Sequence, residues 1–371
     1  MNFIVLGAGT VGCYVGGRLA LAGQTVTLVG RPRVIDALAV HGLTVTDLEG
    51  FNGHVEAAAL RLAPTLNEAI AKNAANAKVE TVILLCVKGG GTELAAREIA
   101  QACRPGTTVV SLQNGVDNVA RIQACAPQMR VLAGMVPYNV VSVVSVVVSV
   151  VVNVMADAGQ SSHRVHRATM GSLHIGHASG AASRSTEPDG PTEFDHQIAT
   201  CFNASGLPTV LSNNMRAVQW GKLLLNLNNP VNALSDLPLQ AQLQDRDYRR
   251  VMADLQTEAL TVMARAEINP VKVAAVAPRV MPHLLRLPNW LFTRLAARML
   301  RMDAQARSSM WEDLQQGRTT EIDDLCGAVV RLAQANGVAA PLNARMCALV
   351  KNHTAGQRLS GEQMRQALSV N

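Results

Sequence analysis

The amino-acid sequence predicts an α/β amino-terminal half followed by an all-helical carboxyl-terminal half. Three observations carry this prediction. A short apolar run, Phe3-Ile4-Val5-Leu6, stops at Gly7-Ala8-Gly9-Thr10-Val11-Gly12 and passes into the helix-compatible stretch Cys13 to Ala22. Strand and helix patterns then alternate as far as Leu211. From about Ser212 the alternation ends and only long helical periodicities follow. The expected boundaries are 1–211 for the first domain and 212–371 for the second.

A buried strand, a tight glycine turn and a helix start form the dinucleotide-binding fingerprint. Gly7 lets the chain turn sharply, and Gly9 lets a pyrophosphate approach the backbone. Gly12 lets the helix pack on the strand. The free N–H groups of the first helical turn, Thr10 and Val11 included, then face phosphate with the helix dipole in support. Ala8 completes the loop.

The second strand, Thr25 to Val29, leads into Gly30-Arg31-Pro32-Arg33. In this fold the residue ending the second strand faces the adenine ribose. An acid there accepts the 2′-hydroxyl of NAD, whereas Arg31 suits a 2′-phosphate, which points to NADP(H). His41 to Ala63 reads as short strands or a hairpin. Val82 to Val87 reads as a strand buried on both faces, with Lys88 just past its carboxyl end. Thr92 to Cys103 is a predicted helix. Thr107 to Leu112 is a strand ending in Gln113-Asn114-Gly115-Val116, so Asn114 also lies at the ligand edge of a parallel sheet.

Val140 to Val154 is almost pure valine broken by serines, and about 140–162 reads as an insertion of strand-favouring composition. His163, His166, His174 and His177 give two HxxH spacings. Arg167 to Gly176 alternates like one antiparallel strand, and strand geometry puts such histidines on opposite faces, so no metal site is expected. Ala178 to Thr192 is a loop, Phe194 to Ser205 a helix and Leu207 to Leu211 a last strand. The helical periodicities beyond are Met215–Leu225, Arg249–Ala266, Pro288–Leu300, Glu321–Ala335 and Leu342–His353.

Of the 371 residues, 49% are hydrophobic, 16% charged and 3% aromatic, with net charge +6. So few aromatics argue against a base-stacking nucleic-acid surface, and the dispersed positive charge suits small anionic ligands. Seven scattered cysteines with no CxxC pair read as buried thiols in a reducing compartment. A strand at the very start, with no basic leader, suggests a cytoplasmic protein without a membrane anchor.

In the second half, Lys222, Asn226 and Asn229 stand at i, i+4 and i+7 and share one helix face, opposite a leucine-rich side. A lysine and amides in an apolar helix are costly to bury unless they meet a ligand or a partner. Pro230 has no N–H for the Asn226 carbonyl and predicts a kink. Glu321 stands in the predicted first turn of a helix, where an acid favours the dipole.

These residues together resemble the ketopantoate reductase (2-dehydropantoate 2-reductase) family. The matching motifs are Gly7 to Gly12, Arg31, Val87-Lys88, Gln113-Asn114-Gly115-Val116 and Asn213-Asn214-Met215-Arg216, leading to Lys222 and Asn226. They continue in Ser308-Ser309-Met310, Thr320-Glu321-Ile322-Asp323 and Gly337 to Asn343. The resemblance implies a Rossmann domain followed by a helical domain like that of 6-phosphogluconate dehydrogenase, with the active site in the cleft between them. It implies NADPH-dependent reduction of 2-dehydropantoate to (R)-pantoate in pantothenate biosynthesis. Lys222 would be the general acid, and Asn114 would touch nicotinamide and substrate. Asn226 and Ser309 would bind substrate, Glu321 would sit beside the nicotinamide ribose and the reacting centre, and Lys88 would lie near the coenzyme. The family's second asparagine falls eight residues after the lysine, before a proline. Here Asn229 comes one residue early, as the candidate substitute. The alternatives are a reductase of another 2-oxoacid or carbonyl compound, and a non-catalytic NADP-binding sensor. A homodimer is compatible with all three.

Overall fold

In a computed structural model, the structure describes residues 1–73, 79–142, 163–178, 190–273, 275–297, 300, 306–354 and 356–369. The chain divides into two compact units, Met1–Asn114 with Asn118–Met215, and Gly115–Asp117 with Arg216–Asn371.

The first unit begins with β1 (Asn2–Leu6), α1 (Thr10–Leu21), β2 (Thr25–Val29) and α2 (Pro32–His41). A hairpin follows, β3 (Leu43–Asp47) and β4 (Asn52–Val55), and then β5 (Arg61–Ala63) and α3 (Leu66–Asn73). Next come β6 (Thr81–Leu85), α4 (Thr92–Ala102), β7 (Thr108–Ser111), α5 (Asn118–Cys125) and β8 (Arg130–Met135). The unit ends with β9 (Val140–Ser142), β10 (His163–Arg167), β11 (Leu173–Gly176), α6 (Glu193–Ala204) and β12 (Thr209–Leu211).

The main sheet has the order β12-β11-β8-β7-β6-β1-β2-β5. From β5 to β8 all neighbours are parallel, and β11 enters antiparallel to β8. The chain winds outward from β1 to β2 and β5, then returns to the other side of β1 at β6. This reversal makes the carboxyl edge at β1 and β6 the topological switch point, where α/β sheets bind ligands. β1 is buried throughout, as a doubly covered parallel strand must be. A second sheet, β4-β3-β10-β9, packs on α1.

One expectation needs correction here. Arg167 to Gly176 is not one strand. β10 ends at Arg167 and joins the small sheet, while β11 begins at Leu173 in the main sheet. Residues 168–172 cross from one sheet to the other, a step that alternation in sequence does not record. Of the valine-rich insertion, Val140–Ser142 is β9, and 143–162 lie outside the described residues, as do 179–189 of the expected loop.

Three of the four histidines lie against side chains of neighbouring elements. The ring of His163 lies 3.8 Å from Cys13 Sγ, and His166 Nδ1 is 2.9 Å from Thr46 Oγ1. His177 Nε2 is 3.1 Å from Asp195 Oδ2. Among the described residues no group of three or more potential metal ligands is assembled, and no helix is long and apolar enough to cross a membrane.

Two buried ionic groups tie the first unit together. Arg18 on α1 reaches Asp47 at 3.2 Å and donates from Nε to the Ser205 carbonyl at 2.9 Å. Arg167 shares the same Asp47, also at 3.2 Å, and pairs with Glu49. Asp195 is fully buried at the start of α6. It accepts from Arg130 Nη2 on β8 at 2.6 Å, from the Thr192 backbone N–H at 2.8 Å, and lies against His177. Burial pushes the Asp195 carboxyl up. The hydrogen bonds from His177, Thr192 and Arg130 outweigh burial and hold it well below the usual range.

The second unit consists of helices. α7 (Met215–Asn226) and α8 (Asn228–Ser235) are followed by α9 (Leu239–Gln244), α10 (Arg246–Arg265) and α11 (Met281–Leu285). α12 (Asn289–Leu295), α13 (Ser309–Gln315), α14 (Cys326–Ala335), α15 (Pro341–Lys351) and α16 (Gly361–Leu368) complete it. The predicted helix Pro288–Leu300 is shorter, ending at Leu295. The predicted helix from Glu321 is replaced by a 3₁₀ turn, Ile322–Asp324, with α14 starting at Cys326. Leu325 between them has φ −107° and ψ −92°, which no α-helix accommodates.

Asp195→Asn should destabilise the first unit by about 3 kcal/mol at pH 7, because it breaks an ion pair whose acid is fully buried and leaves the half-buried Arg130 without its anion. The folded carboxyl titrates below its unfolded value, so its contribution is present above pH ~4 and is lost as pH falls through the folded value. Urea unfolding from pH 7 to 3 should show the parent converging on the variant. Parallel curves would refute the assignment.

Candidate active site

The sequence-predicted coenzyme residues come together at the carboxyl edge of four neighbouring strands, β7-β6-β1-β2. Gly7 to Gly12 follow β1, Arg31 follows β2, Lys88 follows β6 and Asn114 follows β7. Gly7 has φ +114°, and a Cβ there would lie 2.7 Å from the Cys86 carbonyl carbon and the Val87 nitrogen. A Cβ on Gly12 would lie 2.1 Å from the Gly7 oxygen. Both contacts are backbone, so neither position tolerates a side chain. Around Gly9, by contrast, a Cβ would meet nothing within 4 Å. Gly9 caps α1 without any side-chain hydrogen bond, and the first turn carries no acid. The N–H groups of Thr10 and Val11 therefore head a helix whose cap is open. This donor set fits a pyrophosphate. Arg31, Lys88 and Asn114 are exposed, and cations at the end of β2 and β6 fit further anionic groups of a dinucleotide.

A buried polar network missed by the sequence reading shapes this edge. Gln113 Oε1 accepts from Ser111 Oγ at 3.0 Å, and its Nε2 donates to the Val87 carbonyl at 3.0 Å and to Thr92 Oγ1 at 2.8 Å. Thr92 Oγ1 lies 2.8 Å from the Gly89 carbonyl and 3.1 Å from Asn118 Oδ1. Asn118 Nδ2 donates to the Asn114 carbonyl at 2.7 Å. Gln113 thus uses both amide hydrogens and its carbonyl oxygen to join the Lys88 turn to the Asn114 turn. The only hint in sequence was a polar cluster beside two strand ends.

The second unit carries the other candidates. Trp220, Leu223 and Leu224 of α7 face the helical core, with Leu227 just beyond its end. Lys222 and Asn226, one turn apart, are half-buried. Burial strips water from the Lys222 ammonium and lowers its pKa to about 8. The helix breaks at Leu227, and Pro230 sits in the first turn of α8, where it has no N–H to give Asn226. Asn229 therefore belongs to a new helix rather than to a continuous face with Lys222. Among the described residues neither the Asn226 nor the Asn229 side-chain amide takes a protein partner. Ser309 opens α13 and is exposed. Glu321 is half-buried and precedes the 3₁₀ turn, where its carbonyl accepts from the Asp324 N–H at 3.0 Å.

α8 and α13 are joined by buried polar groups. Ser308 caps α13 by accepting from the Trp311 N–H, and its Oγ donates to the Asn229 carbonyl at 3.3 Å. Asn232 Oδ1 accepts from the Ser308 N–H at 2.8 Å. Asp236, at φ 53°, accepts from Trp311 Nε1 at 2.7 Å and from Arg307 at 3.1 Å.

Comparison with known proteins agrees with this arrangement. The family model described as ketopantoate reductase PanE/ApbA matches residues 3–180, and that of its C-terminal part matches 214–354. A 2-dehydropantoate 2-reductase of Pyrococcus horikoshii is 26% identical over 352 residues, covering 95% of this chain and 97% of the relative. The crystal structure of a PanE/ApbA family ketopantoate reductase from Ralstonia eutropha JMP134 superposes with TM-score 0.71 at 27% identity, covering 95% of this chain and 97% of that one. D-Mandelate dehydrogenase, solved with NADH and anilino(oxo)acetate, superposes with TM-score 0.68 at 20% identity, covering 95% and 97%. At that identity the likeness concerns the fold.

Lys222→Met should raise stability at pH 7 by roughly 1–3 kcal/mol, because it removes a charge held below its ordinary value of 10.5. Between pH 8 and 10.5 the unfolded parent binds the extra proton, so the parent gains stability there and the gap closes. Unfolding curves at pH 7 and 10 test this, and a less stable variant at pH 7 would contradict it.

Proposed function

The chain belongs to the ketopantoate reductase family, and from that premise we propose that it reduces 2-dehydropantoate to (R)-pantoate with NADPH, Lys222 being the proton donor. The observation that carries this reading is a half-buried ammonium whose pKa is lowered to about 8, on the helix side that also bears the Asn226 amide, which takes no side-chain partner among the described residues. An acid whose pKa lies near the working pH gives up its proton most effectively while remaining largely charged.

A nicotinamide coenzyme, when bound, supplies the hydride. Negative charge then grows on the former ketone oxygen, and Lys222 Nζ stabilises it and delivers the proton. The neutral side chains of Asn226, Asn229 and Ser309 can hold the substrate carboxylate and hydroxyl without competing charge. Asn114 at the end of β7 orients the nicotinamide side, and Glu321 orients the ribose and the ammonium. The backbone N–H groups following Gly9 hold the pyrophosphate, and Lys88 adds positive charge nearby. Arg31, exposed at the end of β2, offers a guanidinium to the 2′-phosphate.

A second reading keeps the chemistry and changes the acid. D-Mandelate dehydrogenase shares the fold over 95% of this chain, so a panel of 2-oxoacids belongs in the first assay. Turnover of another oxoacid in preference to 2-dehydropantoate would select it. Coenzyme binding without turnover of any oxoacid would indicate a sensor.

Lys222→Ala should lower kcat by roughly 10²–10⁴-fold while NADPH still binds. In the parent, kcat/KM for reduction should fall as pH rises through about 8, and the reverse oxidation should rise, because the first needs the ammonium and the second the free amine. A flat profile, or a variant as active as the parent, would remove Lys222 from the role. Arg31→Ser should reduce the preference for NADPH over NADH by roughly tenfold or more in kcat/KM; a parent that uses both coenzymes equally would contradict the assignment.

A further inference from the structure

We propose that Asn232 is a positioning residue for substrate: it acts through Ser308 to set the place of Ser309 and Asn229. The inference rests on the substrate role given above to those two residues. Asn232 has no exposure to solvent, yet it is polar and lies two residues past Pro230. A buried amide is costly unless every donor and acceptor is used. Asn232 uses all of them. Its Oδ1 accepts from the Ser308 N–H at 2.8 Å, and its Nδ2 donates to the Leu237 carbonyl at 2.9 Å and to Gln242 Oε1 at 3.2 Å. Gln242 is also fully buried and passes the chain of bonds back, donating from Nε2 to Asn228 Oδ1 at 2.7 Å. Ser235 Oγ donates to the Asn232 carbonyl at 2.9 Å.

This closed relay has a defined output. It holds the Ser308 N–H against α8, and Ser308 Oγ then reaches the Asn229 carbonyl at 3.3 Å. The start of α13 and the first turn of α8 are locked to each other, and the two side chains they present, Ser309 and Asn229, take no protein partner among the described residues. The asparagines of this stretch thus divide into two kinds. Asn228 and Asn232 are spent on the scaffold, whereas Asn226 and Asn229 are left to a ligand. An error of an ångström in a binding group lowers the efficiency of a bound pair steeply.

The test is steady-state kinetics on the full chain with NADPH and 2-dehydropantoate. Asn232→Leu keeps the volume and removes the relay, and should raise KM for the oxoacid about tenfold with a smaller change in kcat and an unchanged Kd for NADPH. Ser308→Ala should do the same, and Ser308→Thr, which keeps the hydroxyl, should restore KM; this pair stands in if Asn232→Leu does not fold. Combining Asn232→Leu with Ser309→Ala should raise KM by less than the product of the two single effects, because both act on the Ser309 contact while the Asn229 contact is lost only through Asn232. A lowered Tm with KM unchanged in Asn232→Leu and Ser308→Ala, while Ser309→Ala raises KM, would overturn the positioning role alone. No KM change in Ser309→Ala would overturn the substrate assignment beneath it.

Discussion

The close approach of two backbones at the edge of the main sheet governs what the first unit can do. The turn after β1 passes so near the Cys86–Val87 peptide that a Cβ on Gly7 would sit 2.7 Å from two of its backbone atoms. Gly12 meets the Gly7 carbonyl more closely still. With no side chain in the way, α1 starts directly above β1, and its cap stays open around Gly9. The parallel register of β1 with β2 and β6 then brings the ends of β2, β6 and β7 alongside. Arg31, Lys88 and Asn114 are thereby gathered at one edge although they are far apart in the chain.

Around this edge the structure obeys a second constraint, that buried polar groups must be paired. Gln113, Thr92 and Asn118 are buried beside the coenzyme edge, and each is used by a neighbour. Asn232, Gln242 and Ser308 follow the same rule in the second unit. Such networks rigidify because a shift of one member strands the others. Arg249 shows the principle at its extreme. It is fully buried, and its guanidinium donates to the carbonyls of Leu243, Gln244, Leu285 and Leu287 and to Asn289 Oδ1. That one side chain gathers α9, α11 and α12 against α10.

Lys222 differs from these neutral amides and hydroxyls in carrying a titratable charge. Its ammonium is desolvated enough to lower its pKa, a cost that stability alone would not retain. Perturbed groups of this kind concentrate where chemistry is done. The amides of Asn226 and Asn229 lie nearby, and half-buried donors and acceptors that take no partner among the described residues are suited to a ligand.

Local sequence determined the elements that depend on local physics. The glycine turn, the apolar strands and the amphipathic helices were legible because steric limits and periodicity act within a few residues, and the family motifs added the candidate residues. What needed the fold was pairing across distance. The division of 163–176 between two sheets, the delay of α14 to Cys326, the Gln113 network and the split of the asparagines into scaffold and ligand groups all depend on partners remote in sequence. Asn228 and Asn229 look alike along the chain, and Gln242, brought in by tertiary packing to take the Asn228 side chain, distinguishes them. Hydrogen bonds are satisfied in space, so a linear pattern can name the polar residues without telling which of them the core will use.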